Sequence, residues 1–252
     1  MKTSPILQLV LCLAGSAGGA LAQSGPYQHQ IHSATSPDGL NWTRDGGVRL
    51  DHASVPCALA ESHRVFLYYV DADRGPGLPE SVGCAVSSNG LDFVKQPFAL
   101  SGLPTFKAVD PSILKDANGV FRLYYFGSNA GGDPGGETNA HEIHLATSTD
   151  GVQFTEWGTV FAWPGLVDPD VFTYGTNWFM YVFGPGGTII ATSPDGLNFT
   201  YQRILDLPGY GTVAPVLLDD GRLRLYAFEQ TRPSGNAFKS FLSTNGIDWT
   251  PE

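Results

Sequence analysis

One stretch of about ten residues is written five times in this chain, and it limits the fold more sharply than anything else in the sequence. The copies are Ala34–Thr43 (ATSPDGLNWT), Ala85–Val94 (AVSSNGLDFV), Ala146–Thr155 (ATSTDGVQFT), Ala191–Thr200 (ATSPDGLNFT) and Leu242–Thr250 (LSTNGIDWT). Each has Asp or Asn before Gly and an aromatic residue three positions after it. The glycines, Gly39, Gly90, Gly151, Gly196 and Gly246, are spaced 51, 61, 45 and 50 residues apart. Periods of this length belong to solenoids, propellers or arrays. Asp-Gly or Asn-Gly between alternating apolar runs predicts a tight β-hairpin, because such a turn needs residues that tolerate positive φ. The same requirement accounts for Asp38, Asp150 and Asp195, since Asn89 and Asn245 replace them. The aromatics Trp42, Phe93, Phe154, Phe199 and Trp249 are expected to pack between neighbouring sheets.

A second block precedes each hairpin: Asp51-His-Ala-Ser-Val-Pro56, Val109-Asp-Pro-Ser-Ile113, Val167-Asp-Pro-Asp-Val171 and Val213-Ala-Pro-Val216. An aromatic-rich run follows each one: Arg64–Val70, Val120–Phe126, Trp178–Phe183 and Arg222–Phe228. Continuous apolar runs mark strands buried on both faces, as between stacked blades. We label the block strand A, the aromatic run B, and the strands before and after the Asp-Gly turn C and D. Four units are complete, at about 50–100, 108–161, 167–206 and 212–252. Residues 30–48 supply only C and D, with 23–30 expected to add one strand. The fold class is therefore all-β, a five-bladed propeller whose N-terminal blade is incomplete; four blades plus a hairpin is the competing closure. Gly-rich inserts at 129–141 and 71–80 separate B from C in two blades.

Residues 1–22 read as a secretory signal peptide: Lys2, an apolar core from Ile6 to Ala14, and the small-residue site Ala20-Leu21-Ala22. Residues 23–252 then form one secreted, extracellular domain. The sequons at Asn41 and Asn198 agree with export as glycosylation sites. With a net charge of −10 and no basic cluster, the chain suits neither nucleic acid nor a membrane surface as a partner. A monomer is expected. Cys57 and Cys84 fall on the first and third strands of one blade, about 9–10 Å apart, which is beyond a disulfide's reach. Two free thiols are expected.

Propellers gather their innermost strands around a central channel. The A-strand starts then bring together Asp51 or His52, Asp110, Asp168 and Val213. Glycoside hydrolysis needs a protonated and an ionised carboxyl group, and a further carboxylate raises its neighbour's proton affinity. Asp-Pro at a strand start is also ordinary turn chemistry; against that, the fourth copy drops the Asp. Glu142 and His144 share one face of a C strand, either as a substrate-binding or ligand pair at the channel mouth or as an exposed loop-edge pair. Glu229 is a weaker acid candidate.

The Val109–Ile113 block, followed by Gly119–Tyr125 and then Ala-Thr-Ser-x-Asp-Gly ahead of an aromatic, resembles the five-bladed propeller glycoside hydrolases of family 43. That group holds arabinanases, arabinofuranosidases and xylosidases, with relatives acting on fructans. The resemblance implies cleavage of a plant or microbial polysaccharide, with Asp51 (or His52) as base, Asp110 as modulator of proton affinity and Asp168 in the acid's place. It implies no obligatory cofactor, although a structural Ca²⁺ in the channel, held through His52, fits the pattern. The family's acid is a Glu, and this chain has Asp168 there. That departure keeps a non-catalytic, lectin-like carbohydrate-binding propeller as the alternative.

Overall fold

The computed structural model describes residues 8–12, 25–75, 80–102, 107–128, 140–229 and 237–252. Residues 76–79 of the first B–C insert and 129–139 of the second lie outside the described residues. The chain forms a five-bladed β-propeller. Blades 2 to 5 each run A–B–C–D as antiparallel neighbours. Their A strands are Ala53–Ala60, Lys107–Lys115, Val167–Tyr174 and Tyr210–Leu217, and adjacent A strands touch one another. Among the described residues, no helix is long and apolar enough to cross a membrane.

The first blade departs from the expected plan. Pro26–Gln28 makes a 3-10 turn rather than a strand, because proline at its start supplies the φ but no ladder donor. Gln8–Cys12, inside the expected leader, instead pairs with one edge of Gln30–Thr35. The other edge holds two short pieces, Thr43–Arg44 and Leu50–Asp51. The sheet is thus three tracks wide, an incomplete blade that stands in the ring rather than a loose hairpin.

The repeated turn is not the two-residue hairpin that Asp-Gly suggested. In every copy a longer loop joins C to D, organised by a buried serine. Ser36, Ser87, Ser148, Ser193 and Ser243 each accept the N–H of the glycine three residues on, at 2.8–3.0 Å. The intervening Asp or Asn Oδ1 accepts the N–H two residues ahead. Such N–H bonds hold the Asp38, Asp150 and Asp195 carboxyls below the usual range. These aspartates are structural, as the Asn replacements implied.

The glycine of this turn does a second job. Its carbonyl accepts the hydroxyl of a B-strand tyrosine from the preceding blade: Tyr68 to Gly151 (2.6 Å), Tyr124 to Gly196 (2.8 Å) and Tyr181 to Gly246 (2.5 Å). Tyr226 of the last blade donates to Gly39 of the first (2.8 Å), and Arg224 donates to the carbonyl of Asp38 (2.9 Å). The ring is therefore fastened end to end. The repeated aromatics pack edge-on against the same tyrosines, as in Trp42–Tyr226, Phe154–Tyr68, Phe199–Tyr124 and Trp249–Tyr181. Each bond of this kind contributes about 1 kcal/mol, and the buried rings contribute more through apolar area.

Cys57 and Cys84 are free, with Tyr68 standing between them in the sheet. Burial pushes both thiols up to about 12, so neither supplies a thiolate at ordinary pH.

Candidate active site at the channel mouth

Each A strand begins with a bulge, and one residue there takes left-handed backbone: Val55 (φ 45°), Asp110 (φ 54°), Asp168 (φ 51°) and Thr212 (φ 38°). Asp tolerates this region better than most residues, and β-branched Val and Thr do not. Non-glycine residues held there cost about 1–3 kcal/mol each, and such strain concentrates at functional sites. Four blades thus present one strained side chain apiece at equivalent positions around the axis.

Two of these side chains are carboxyls on adjacent blades. The Asp110 carboxylate accepts the backbone N–H of Asp168, and Thr212 Oγ1 donates to Asp168 Oδ2 at 3.4 Å. Burial first, then the charge of Asp168, pushes the Asp110 carboxyl up to about 7, against a smaller opposing pull from Lys107. Lys107 is itself paired with Glu80 at 2.8 Å. Burial raises Asp168 too, and the Thr212 hydrogen bond opposes that shift.

The other expected ring members lie elsewhere. Asp51 belongs to the edge piece of blade 1 and is exposed, where its Oδ1 accepts the N–H of His52 (3.0 Å) and Nε2 of Gln30 (3.3 Å). His52 also has positive φ (52°) but precedes the A strand, and Val55 holds the position equivalent to Asp110. The His52 ring stacks on Tyr27 at 4.1 Å and its Nδ1 donates to the Tyr27 carbonyl at 2.6 Å. Thr212, not Val213, completes the set. Among the described residues, no group of three His, Cys, Asp or Glu side chains forms a metal cradle. His52 offers an imidazole nitrogen, a poor donor for a hard cation such as Ca²⁺, and its Nδ1 is already bonded to the Tyr27 carbonyl.

Glu142 and His144 form neither a mouth pair nor an exposed loop edge. They lie on the C strand of blade 3, two strands out from the innermost one, and His144 is 1 % exposed. Its ring stacks on Tyr125, its Nδ1 pairs with Glu156 Oε1 at 2.8 Å, and its Nε2 lies 3.3 Å from Glu142. Tyr125 also donates to Glu156. Glu229 closes a B strand opposite Tyr210. Asn41 and Asn198 are exposed.

One step down the channel is a second ring that the sequence did not disclose. Cys57, Ser112, Asp170 and Ala214 stand opposite Tyr68, Tyr124, Tyr181 and Tyr226 of their own B strands. Cys57 Sγ accepts the N–H of Ile113 (3.4 Å), and Ser112 Oγ accepts that of Val171 (2.9 Å). The next donor in the series would be residue 215, which is proline and has no N–H. Among the described residues nothing hydrogen-bonds the Asp170 carboxyl, and burial alone pushes it up to about 7. A folded-state value above the unfolded one means that stability falls as pH climbs from about 4 through 7. Asp170→Asn should remove from that slope a loss on the order of 2–4 kcal/mol. Denaturant unfolding of parent and variant at pH 5 and 8 checks this; equal slopes would show the carboxyl to be solvated.

No protein-family model matches the chain, and no curated protein matches it in sequence. Solved structures do match in fold. The fructan 1-exohydrolase IIa of Cichorium intybus superposes with a TM-score of 0.71 at 15% identity, over 98% of this chain and 56% of that one. An α-L-arabinofuranosidase from Clostridium thermocellum gives 0.59 at 18% identity, over 79% of this chain and 71% of the other. A structure from the GH130 family of mannoside phosphorylases, described as containing hydrolases that target β-1,2-mannosidic linkages in Candida mannan, gives 0.61 at 18% identity, over 79% and 69%. The chain shares its fold with the propeller glycosidases.

Proposed function

We propose that this chain is a secreted glycoside hydrolase that cleaves a plant or microbial polysaccharide or its oligosaccharides at the channel mouth. The observation that carries the proposal is the pairing of Asp110 and Asp168 on neighbouring blades, each raised from the usual carboxylate range. Asp168 has a hydroxyl donor from Thr212 that favours its ionised form, and its charge helps to keep the proton on Asp110. One carboxyl protonated beside one ionised is the division of labour that glycosidic cleavage requires. Asp110 protonates the leaving oxygen, and Asp168 acts on the anomeric side as base or nucleophile. The family resemblance implied Asp110 as modulator and Asp168 as acid; on this reading Asp110 is the acid and Asp168 takes the place expected of Asp51. Export would carry glycans on Asn41 and Asn198, both exposed.

A lectin-like propeller is the second reading, favoured by Asp51 lying on the edge of blade 1 and Val55 standing at the blade-2 position, which leaves two carboxyls in the ring instead of three. Incubation with fructan, arabinan and β-1,2-mannan separates the two. New reducing ends from any of them support cleavage. Retention on an immobilised glycan without any release would transfer the function to binding.

A further inference from the structure

We infer that the cleft between blades 4 and 5 is a sugar-binding subsite. It rests on the carbohydrate reading above but not on cleavage. The cleft is a cavity of about 340 Å³, walled by the B–C turn of blade 4, the end of its D strand and the connection 205–209 into blade 5. That volume lies in the range of small-molecule sites. Tyr210 on its wall begins the A strand that carries Thr212, the residue whose hydroxyl bonds Asp168.

Its lining has the two faces a sugar ring needs. Phe183, Ile204 and Leu207 supply apolar surface, and Tyr210 is held edge-on against Phe241 at 5.3 Å. Asp206 adds an exposed carboxylate to the rim. Thr188 also lines the cavity; it is 4 % exposed, and its Oγ1 has no hydrogen-bond partner. A buried hydroxyl left without a partner is costly, and a ligand hydroxyl would supply one. The backbone around it is already committed, with Leu205 N–H on the Thr188 carbonyl (2.7 Å), Leu207 on Leu205 (2.9 Å) and Tyr210 on Leu207 (3.2 Å). The side chain is therefore the group left to recognise something. No Lys or Arg lines the cleft, which disfavours phosphate or carboxylate ligands and leaves a neutral polyhydroxyl ring.

The test is calorimetric titration of the full chain carrying Asp110→Asn with fructo-, arabino- and β-1,2-manno-oligosaccharides. Thr188→Val keeps the shape and removes the hydroxyl, and it should weaken binding of the best ligand about tenfold, the worth of one good hydrogen bond. Thr188→Ser should restore it, and Asp206→Asn should weaken it further. Equal affinity in Thr188→Val and its parent overturns the subsite, as does failure of every oligosaccharide to bind. Tight, Thr188-dependent binding by a wild-type chain that releases no reducing ends supports the subsite while removing cleavage.

Discussion

Asp110→Asn is expected to lower reducing-end release about 10²–10⁴-fold, the range that a positioned general acid contributes. Asparagine keeps the shape of the side chain and tolerates the left-handed backbone at φ 54° better than any other replacement except glycine. The strand start should therefore hold its geometry. The substitution also removes a buried carboxyl that sits at about 7 in the folded protein, so stability above neutral pH should be unchanged or raised. Lost activity could not then be assigned to unfolding. In the parent, the acid is fully protonated below the folded value and loses its proton as pH rises through about 7. Activity should fall along that alkaline limb. A variant that keeps parental release, or a parent whose activity is flat from about pH 5 to 9, would remove Asp110 from the chemistry.

The second large effect is on stability. Gly196→Ala should destabilise the fold by about 3–5 kcal/mol, whereas Gly175→Ala should cost only about 1–2. Both glycines have left-handed backbone, φ +75° and +61°, so both substitutions carry the same conformational penalty. They differ in surroundings. A Cβ on Gly196 would stand 2.7 Å from Trp178 Cε3 and 2.7 Å from the Tyr124 hydroxyl, and a Cβ on Gly175 would meet nothing within 4 Å. Making room at Gly196 also displaces the Tyr124 hydroxyl from the carbonyl that it bonds. Urea unfolding of the two variants measures the difference. Equal losses would mean that the turn can shift outward and that the interblade fastening is slack.

Much of the architecture was legible because it depends on local chemistry repeated at a fixed interval. The five turns, the aromatic B strands and the free thiols all follow from residue type and spacing. Asp110 and Asp168 were legible for the same reason, each lying inside a Val-Asp-Pro block. Two failures, His52 in place of Val55 and Val213 in place of Thr212, come from the A-strand bulges. A bulge changes register without changing composition, so the start of the Val213-Ala-Pro block pointed to Val213 as the ring position, while the structure puts Thr212 at the left-handed position and Ala214 opposite Tyr226. Asp51 was misplaced because Leu50–Asp51 adds to the edge of Gln30–Thr35, two residues before its own blade begins. Glu156 escaped notice as a partner of His144 because a bulge between Leu145 and Ala146 shifts the pairing of their strands. Asp170 was quoted within its block, but its isolation depends on a proline one blade further on.

The bonds from Tyr226 and Arg224 to Gly39 and Asp38 join positions 187 and 186 residues apart. Every other tyrosine bond of this kind spans fewer than 90. The entropy lost in joining distant ends grows slowly with the length enclosed, yet contacts of such separation delay folding because nothing rewards them until the intervening chain is in place. Assembly should therefore run blade by blade along the chain, with the circle drawn shut as its final event.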